Sequence, residues 1–125
     1  MGKTVSIFNQ KSGVGKTTTG VNFAAALGLK GKKTLLVDLD PQGNTTSGVG
    51  IDKTEIEKST YDILINDEAA KDIVIKTEFK NLSVLPANMN LAGAELELAE
   101  EENRFKALKK ALAPLVMEYD YIIID

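Results

Sequence analysis

Lys16 and Thr17 follow a turn rich in glycine, a combination that can hold phosphate. The segment Lys11-Ser12-Gly13-Val14-Gly15-Lys16-Thr17 lies between a β-branched, aromatic run and a helical pattern. In a strand–turn–helix of this kind the backbone N–H groups of the turn and of the helix N-terminus converge, and their dipoles favour anionic oxygens. Gly13 and Gly15 permit the unusual torsions and close backbone approach that such a cradle needs. Lys16 can reach the terminal phosphates of a nucleotide, and the Thr17 hydroxyl can ligate Mg²⁺. The pattern G-x-x-x-x-G-K-S/T is met except at its first position, which is Gln10. An ordinary turn with a solvated lysine is the bland alternative, and the flanking strand and helix weigh against it.

Three carboxylates stand at or just beyond the ends of apolar runs: Asp38 and Asp40 after Thr34-Leu35-Leu36-Val37, and Asp125 after Tyr121-Ile122-Ile123-Ile124. Taken alone they read equally well as loop charges. Cysteine and histidine are both absent. That removes disulfides, thiolate metal sites and iron–sulfur clusters, and argues against zinc enzymes and Ser-His-Asp hydrolysis. Chemistry must then rest on carboxylates, lysines, hydroxyls, backbone amides and an exogenous ion or cofactor. The net charge of −3 gives no support to a nucleic-acid-coating surface. The N-terminal apolar run is too short for a signal peptide, and no stretch approaches a bilayer span, so the expectation is a cytosolic protein without membrane association.

The elements that must position these residues can be outlined. Thr4 to Asn9 reads as a buried strand, Gln10 to Lys16 as a turn, and Thr17 to Lys30 as a helix with Val21, Ala24, Ala25 and Leu27 facing the core. Gly31 occupies the place of a C-terminal stop. Thr34 to Asp38 is a second strand, completing a βαβ unit with parallel strands. Pro41 to Asp52 reads as a long polar loop. Thr60 is placed as the cap of a short helix to Asn66, and Asp67 to Ala70 as a further turn. Ile73 to Ile75 and Leu82 to Leu85 read as strands. Asn90 is placed as the cap of a helix from Leu91, followed by a helical stretch from Asn103 to Glu118 interrupted near Pro114. Tyr121 to Ile124 is a final strand. The expected architecture is a three-layer α/β P-loop fold with a mostly parallel sheet. A domain is expected to continue past the strand end at Asp125, because open α/β sheets place their ligands there.

Four ordered blocks carry a family resemblance. Lys11-Ser12-Gly13-Val14-Gly15-Lys16-Thr17-Thr18, with its early second lysine, resembles the deviant Walker A motif of the ParA/MinD ATPases. Val37-Asp38-Leu39-Asp40-Pro41-Gln42-Gly43-Asn44 resembles the switch I segment of the ParA/Soj partition branch. Pro86-Ala87-Asn88 with Leu91-Ala92-Gly93-Ala94-Glu95 resembles its mid-domain signature, and Tyr119-Asp120-Tyr121-Ile122-Ile123-Ile124-Asp125 its Walker B strand. The resemblance runs end to end but covers only the N-terminal half of a family member, so residues 1–125 are expected to be part of one P-loop domain.

The resemblance implies ATP and Mg²⁺ as cofactors. It assigns Lys16 to the β- and γ-phosphates, Thr17 directly to Mg²⁺ and Thr18 to the α-phosphate. Lys11 would reach across a nucleotide-sandwich homodimer to the partner's ATP, where a lysine neutralises charge developing on the leaving phosphate. Asp40 would orient the attacking water, and Asp38 and Asp125 would hold waters of the Mg²⁺ shell. The implied biology is chromosome or plasmid segregation. An ATP-bound dimer would hold nucleoid DNA nonspecifically through the half not present here and would be released by a centromere-binding ParB-like partner. At Ser12 the family usually has glycine, so the added side chain is expected to weaken dimerisation while sparing ATP binding. Two other readings fit the same residues: a nucleotide-binding regulatory module without useful turnover, and a different relative of the superfamily, such as a MinD-like positioning ATPase or a metabolic ATP-dependent ligase.

Overall fold

The computed structural model describes residues 3–6, 14–39, 44–52, 56, 58–65, 69–87 and 101–124. Among them the strands are β1 (Lys3–Ser6), β2 (Thr34–Val37), β3 (Ile75–Lys76), β4 (Leu82–Leu85) and β5 (Tyr121–Ile124). The helices are α1 (Val14–Leu29), α2 (Asn44–Gly48), α3 (Thr60–Ile65) and α4 (Glu101–Leu112), with 3₁₀ turns at Ala70–Asp72 and Ala113–Leu115. The strands form one sheet in the order β1-β5-β2-β4-β3. All pairings are parallel except β3 with β4.

The sequence of the central strands explains their position. Every residue of β2 and β4 is buried, and in β5 only Tyr121 is half-buried, as expected of strands covered on both faces. On one face Leu35, Val37, Leu85, Ile122 and Ile124 pack with Ile63 of α3 and Leu108 and Leu112 of α4. On the other, Leu36, Leu82, Val84 and Ile123 pack with Ala24 of α1 and with Val49. Helices on both faces of a parallel sheet make the expected three layers.

Several expected boundaries shift. Helix α1 begins at Val14 rather than Thr17, so the second half of the glycine-rich turn is already wound into its first turn. Its end is as expected: Gly31 has φ +83°, and Lys32 N–H donates to Leu27 C=O (3.0 Å) while Gly31 N–H donates to Gly28 C=O (3.0 Å). That is the paired closure of a helix terminated by a left-handed glycine. The polar segment 41–52 contains α2, which ends the same way at Gly50, with φ +86°.

Helix α3 is capped by Ser59, not Thr60. Asp62 Oδ2 reaches back to accept from Ser59 N–H (2.8 Å), the return bond of a capping box. The expected strand from Ile73 is shortened because Ile73 closes the 3₁₀ turn, donating to Ala70 C=O (3.0 Å); only Ile75 and Lys76 pair with β4. The break at Pro114 is present as the 3₁₀ turn Ala113–Leu115. The expected helix from Asn90 lies outside the described residues.

At the amino ends of β2 and β5, Lys33 N–H donates to Asp120 Oδ2 (2.8 Å) and Asp120 N–H to Lys33 C=O (2.7 Å). Lys33 Nζ lies 5.1 Å from the centre of the Tyr119 ring, a cation–π distance. Burial, offset in part by a hydrogen bond with Ser83, raises the Tyr119 phenol above its ordinary pKa. These contacts lock the end of the sheet opposite the candidate site.

Candidate nucleotide site

Parallel register brings the candidate residues to one edge. Ser6 of β1 is level with Ile124 of β5, Ile124 with Val37 of β2, and Val37 with Leu85 of β4. Four carboxyl ends therefore lie in one row. The phosphate-loop segment follows β1 in the chain, Asp38 follows β2, Pro86 follows β4 and Asp125 follows β5. The crevice outside the carboxyl ends of the strands is where open α/β sheets bind their ligands.

The backbones of Val14, Gly15, Lys16, Thr17 and Thr18 form the first turns of α1, a 16-residue helix whose first turn carries no acidic residue. The positive end of the helix dipole thus meets no carboxylate from the helix's own first turn, which suits an anionic ligand. The side chains of these five residues lie outside the described residues, as do Lys11, Ser12, Gly13, Asp40 and Asp125.

Asp38 is the expected site residue whose side chain is described, and it is completely buried. Its backbone N–H donates to Leu85 C=O (3.1 Å), extending the β2–β4 pairing by one bond. Its Oδ2 accepts from both Thr46 N–H (2.8 Å) and Thr46 Oγ1 (2.6 Å). Thr46, itself fully buried, also accepts from Ala87 N–H at Oγ1 (3.0 Å). A carboxylate beyond a strand end, with two neutral donors on its Oδ2, offers hard oxygen chemistry that fits Mg²⁺. Among the described residues no three Asp, Glu, His or Cys side chains gather into a metal cage. A Mg²⁺ held by one hydroxyl, phosphates and waters needs none.

Sequence reasoning did not single out Thr46. Its signal was faint: a Thr-Thr-Ser run inside a polar segment that reads as loop. Pro86 and Ala87 were noted only as part of a signature block. Pro86 C=O accepts from Thr60 N–H (2.8 Å) and from Thr60 Oγ1 (3.0 Å), so the 86–87 peptide is held from both sides.

Comparison with known proteins bears on the same segments. A family model described as an AAA domain matches residues 2–125. Sporulation initiation inhibitor protein Soj of Bacillus subtilis is 54% identical over 125 residues, covering 100% of this chain and 49% of that protein. Chromosome partitioning protein ParA of Myxococcus xanthus is 50% identical over 125 residues, covering 100% of this chain and 44% of the other. Among solved structures, cobyrinic acid a,c-diamide synthase from Mycobacterium smegmatis, with bound ADP and magnesium, superposes with a TM-score of 0.91 at 42% identity, over 100% of this chain and 51% of that one. The chain thus spans about half the length of the curated relatives it matches. With the parallel sheet, the helix opening at the glycine-rich turn and these whole-chain identities in agreement, the chain belongs to the AAA-domain family, in its ParA/Soj branch.

Proposed function

We propose that this chain binds Mg-ATP through residues 11–18, and that the whole protein hydrolyses ATP and serves chromosome or plasmid segregation as an ATP-dependent dimer. The observation that carries the proposal is the level row Ser6–Ile124–Val37–Leu85, from which every candidate segment departs, with α1 opening at Val14. In this assignment the α1 N-terminus and Lys16 bind phosphate oxygens, Thr17 supplies a direct metal ligand, and Asp38 and Asp125 orient waters of the metal shell. Mg²⁺, when bound, offsets charge on the phosphates. Asp40 positions the water for in-line attack, and Lys11 of a second subunit neutralises the leaving phosphate. The products are ADP and phosphate.

Calorimetric titration of the full-length protein with ATP tests the binding. One site per chain is expected, tighter with Mg²⁺ than without; heats equal to a buffer blank at millimolar ATP would remove the assignment.

The dimer is tested separately through Ser12. Ser12 brings a Cβ and a hydroxyl where the ParA/MinD pattern usually has glycine, and a close approach of two backbones in a dimer would tolerate neither well. With ATP and Mg²⁺, the full-length protein is expected to elute from a sizing column with a smaller dimer fraction than its Ser12→Gly variant, at equal ATP affinity. Equal dimer fractions would show that the serine is neutral.

A further inference from the structure

We propose that Thr46 is the positioning residue for the Asp38 carboxylate and, through it, for the Mg²⁺ shell; the inference rests on the Mg-ATP assignment above. Thr46 gives the same carboxylate oxygen two donors, its N–H at 2.8 Å and its hydroxyl at 2.6 Å. Both residues are completely buried. A hydroxyl has one proton to give. That proton is directed at Asp38, because the other neighbour of Oγ1 is the Ala87 N–H, which can only donate. The direction of the chain of bonds is therefore fixed: Ala87 N–H to Thr46 Oγ1, then Thr46 O–H to Asp38 Oδ2.

The chain continues past Ala87. The carbonyl of the same peptide group, Pro86 C=O, accepts from Thr60 N–H and Thr60 Oγ1. Accepting at its oxygen and donating at its nitrogen, the 86–87 peptide is polarised in one sense, and bonds in such a chain strengthen one another. The result is a buried relay from the first residue of α3, through the segment after β4, to the residue after β2. Two donors on one oxygen set the plane of the carboxylate group. The direction in which Asp38 can present itself to a metal-bound water is then set by Thr46, which sits in α2, outside the glycine-rich loop.

The relay also has a plain structural use, tying α2 to the sheet, and metal dependence separates the two roles. In the full-length protein, ATP binding is followed by calorimetry across a Mg²⁺ series to find the concentration giving half of the metal-induced tightening. Thr46→Val keeps the shape and the backbone donor but removes the hydroxyl. It is expected to raise that concentration by about tenfold, the lower range for loss of a group orienting a metal ligand, while ATP affinity without Mg²⁺ stays the same. Thr46→Ser, which restores the hydroxyl, is expected to restore the wild-type midpoint.

In an Asp38→Asn background, Thr46→Val is expected to add no further shift, since two residues acting as one unit are not additive. An unchanged midpoint in Thr46→Val, or an undiminished shift in the Asp38→Asn background, overturns the proposal. If circular dichroism shows Thr46→Val unfolded, Thr46→Ala carries the same comparison. Failure of the wild-type protein to bind Mg-ATP would instead defeat the functional assignment and this inference with it; that result is read from the wild type alone.

Discussion

Replacing Gly28 by alanine is expected to lower the stability of the fold by about 3 kcal/mol, at the upper end for forcing extra volume into a packed site. Helix propensity alone predicts the opposite sign, because alanine in a helix interior is favoured over glycine by about 1 kcal/mol. Position 28 lies within α1, where a glycine invites that substitution. A Cβ there would run into the carbonyl oxygen of Lys80 and approach its carbonyl carbon to 3.2 Å. The obstacle is backbone, which no change of rotamer can move aside.

Lys80 is held in turn by the β3–β4 turn. Asn81 sits at φ 58°, its Nδ2 donates to Gly28 C=O (3.1 Å), and its own C=O accepts from Thr34 N–H (2.8 Å). Relief of the clash therefore requires α1 to lift off the sheet or the turn to break its bond to β2. Gly31→Ala is the internal control: its Cβ meets nothing within 4 Å, and its only penalty is the left-handed torsion, about 1 kcal/mol. Thermal melts of the full-length protein are expected to rank wild type first, Gly31→Ala next and Gly28→Ala last, the last by about 10 °C. A Gly28→Ala protein melting with the wild type would show that α1 does not sit this close to the turn.

This contrast marks what sequence patterns can and cannot reveal. Gly31 was legible because a helix that stops must satisfy its last carbonyls locally, and glycine after the last apolar position is the local solution. Gly28 was not, because the atom that forbids a side chain there lies 52 residues away along the chain, at Lys80. Strand β5 was legible to the residue because a short apolar run dominated by β-branched isoleucine suits a strand buried on both faces. Helix α2 was hidden for the reverse reason. Its residues Asn44-Thr45-Thr46-Ser47-Gly48 have poor intrinsic propensity, and it is held by tertiary bonds, above all those of Thr46 to Asp38.

The site divides along the same line. The motif residues 13–17 announce themselves by local spacing, whereas Thr46 acquires its role only when β2 and β4 lie side by side and bring Asp38 and Ala87 within its reach. The cap of α3 shows the smaller version of the same problem. Ser59 and Thr60 are both good caps by type, and the choice is settled because Thr60 is drawn to Pro86 C=O while Asp62 reaches back to Ser59.

Lys16→Ala is expected to separate stability from binding, with opposite signs. Lys16 stands in the first turn of α1, where a cation opposes the helix dipole by about 0.3–1 kcal/mol. Alanine removes that opposition and is the better helix former. Without nucleotide the variant should therefore melt at or a few degrees above the wild type. With Mg-ATP the order should reverse. A charge-assisted hydrogen bond to phosphate is worth about 1.5–3 kcal/mol, and Lys16 is assigned to two phosphates, so affinity should fall by about 100-fold.

At an ATP concentration about 100 times the wild-type Kd, binding stabilises the wild type by about 2.7 kcal/mol; a 100-fold weaker variant gains only about 0.4 kcal/mol. The ATP-induced rise in Tm should thus shrink to about one-seventh of the wild-type value. The crossing of the two melting series is the informative result. A lysine that merely solvates the surface would leave the ATP-induced shift intact, and a lysine needed for the fold would lower Tm without nucleotide. Only a residue held in an electrostatically unfavourable place for the sake of an anionic ligand raises one and lowers the other.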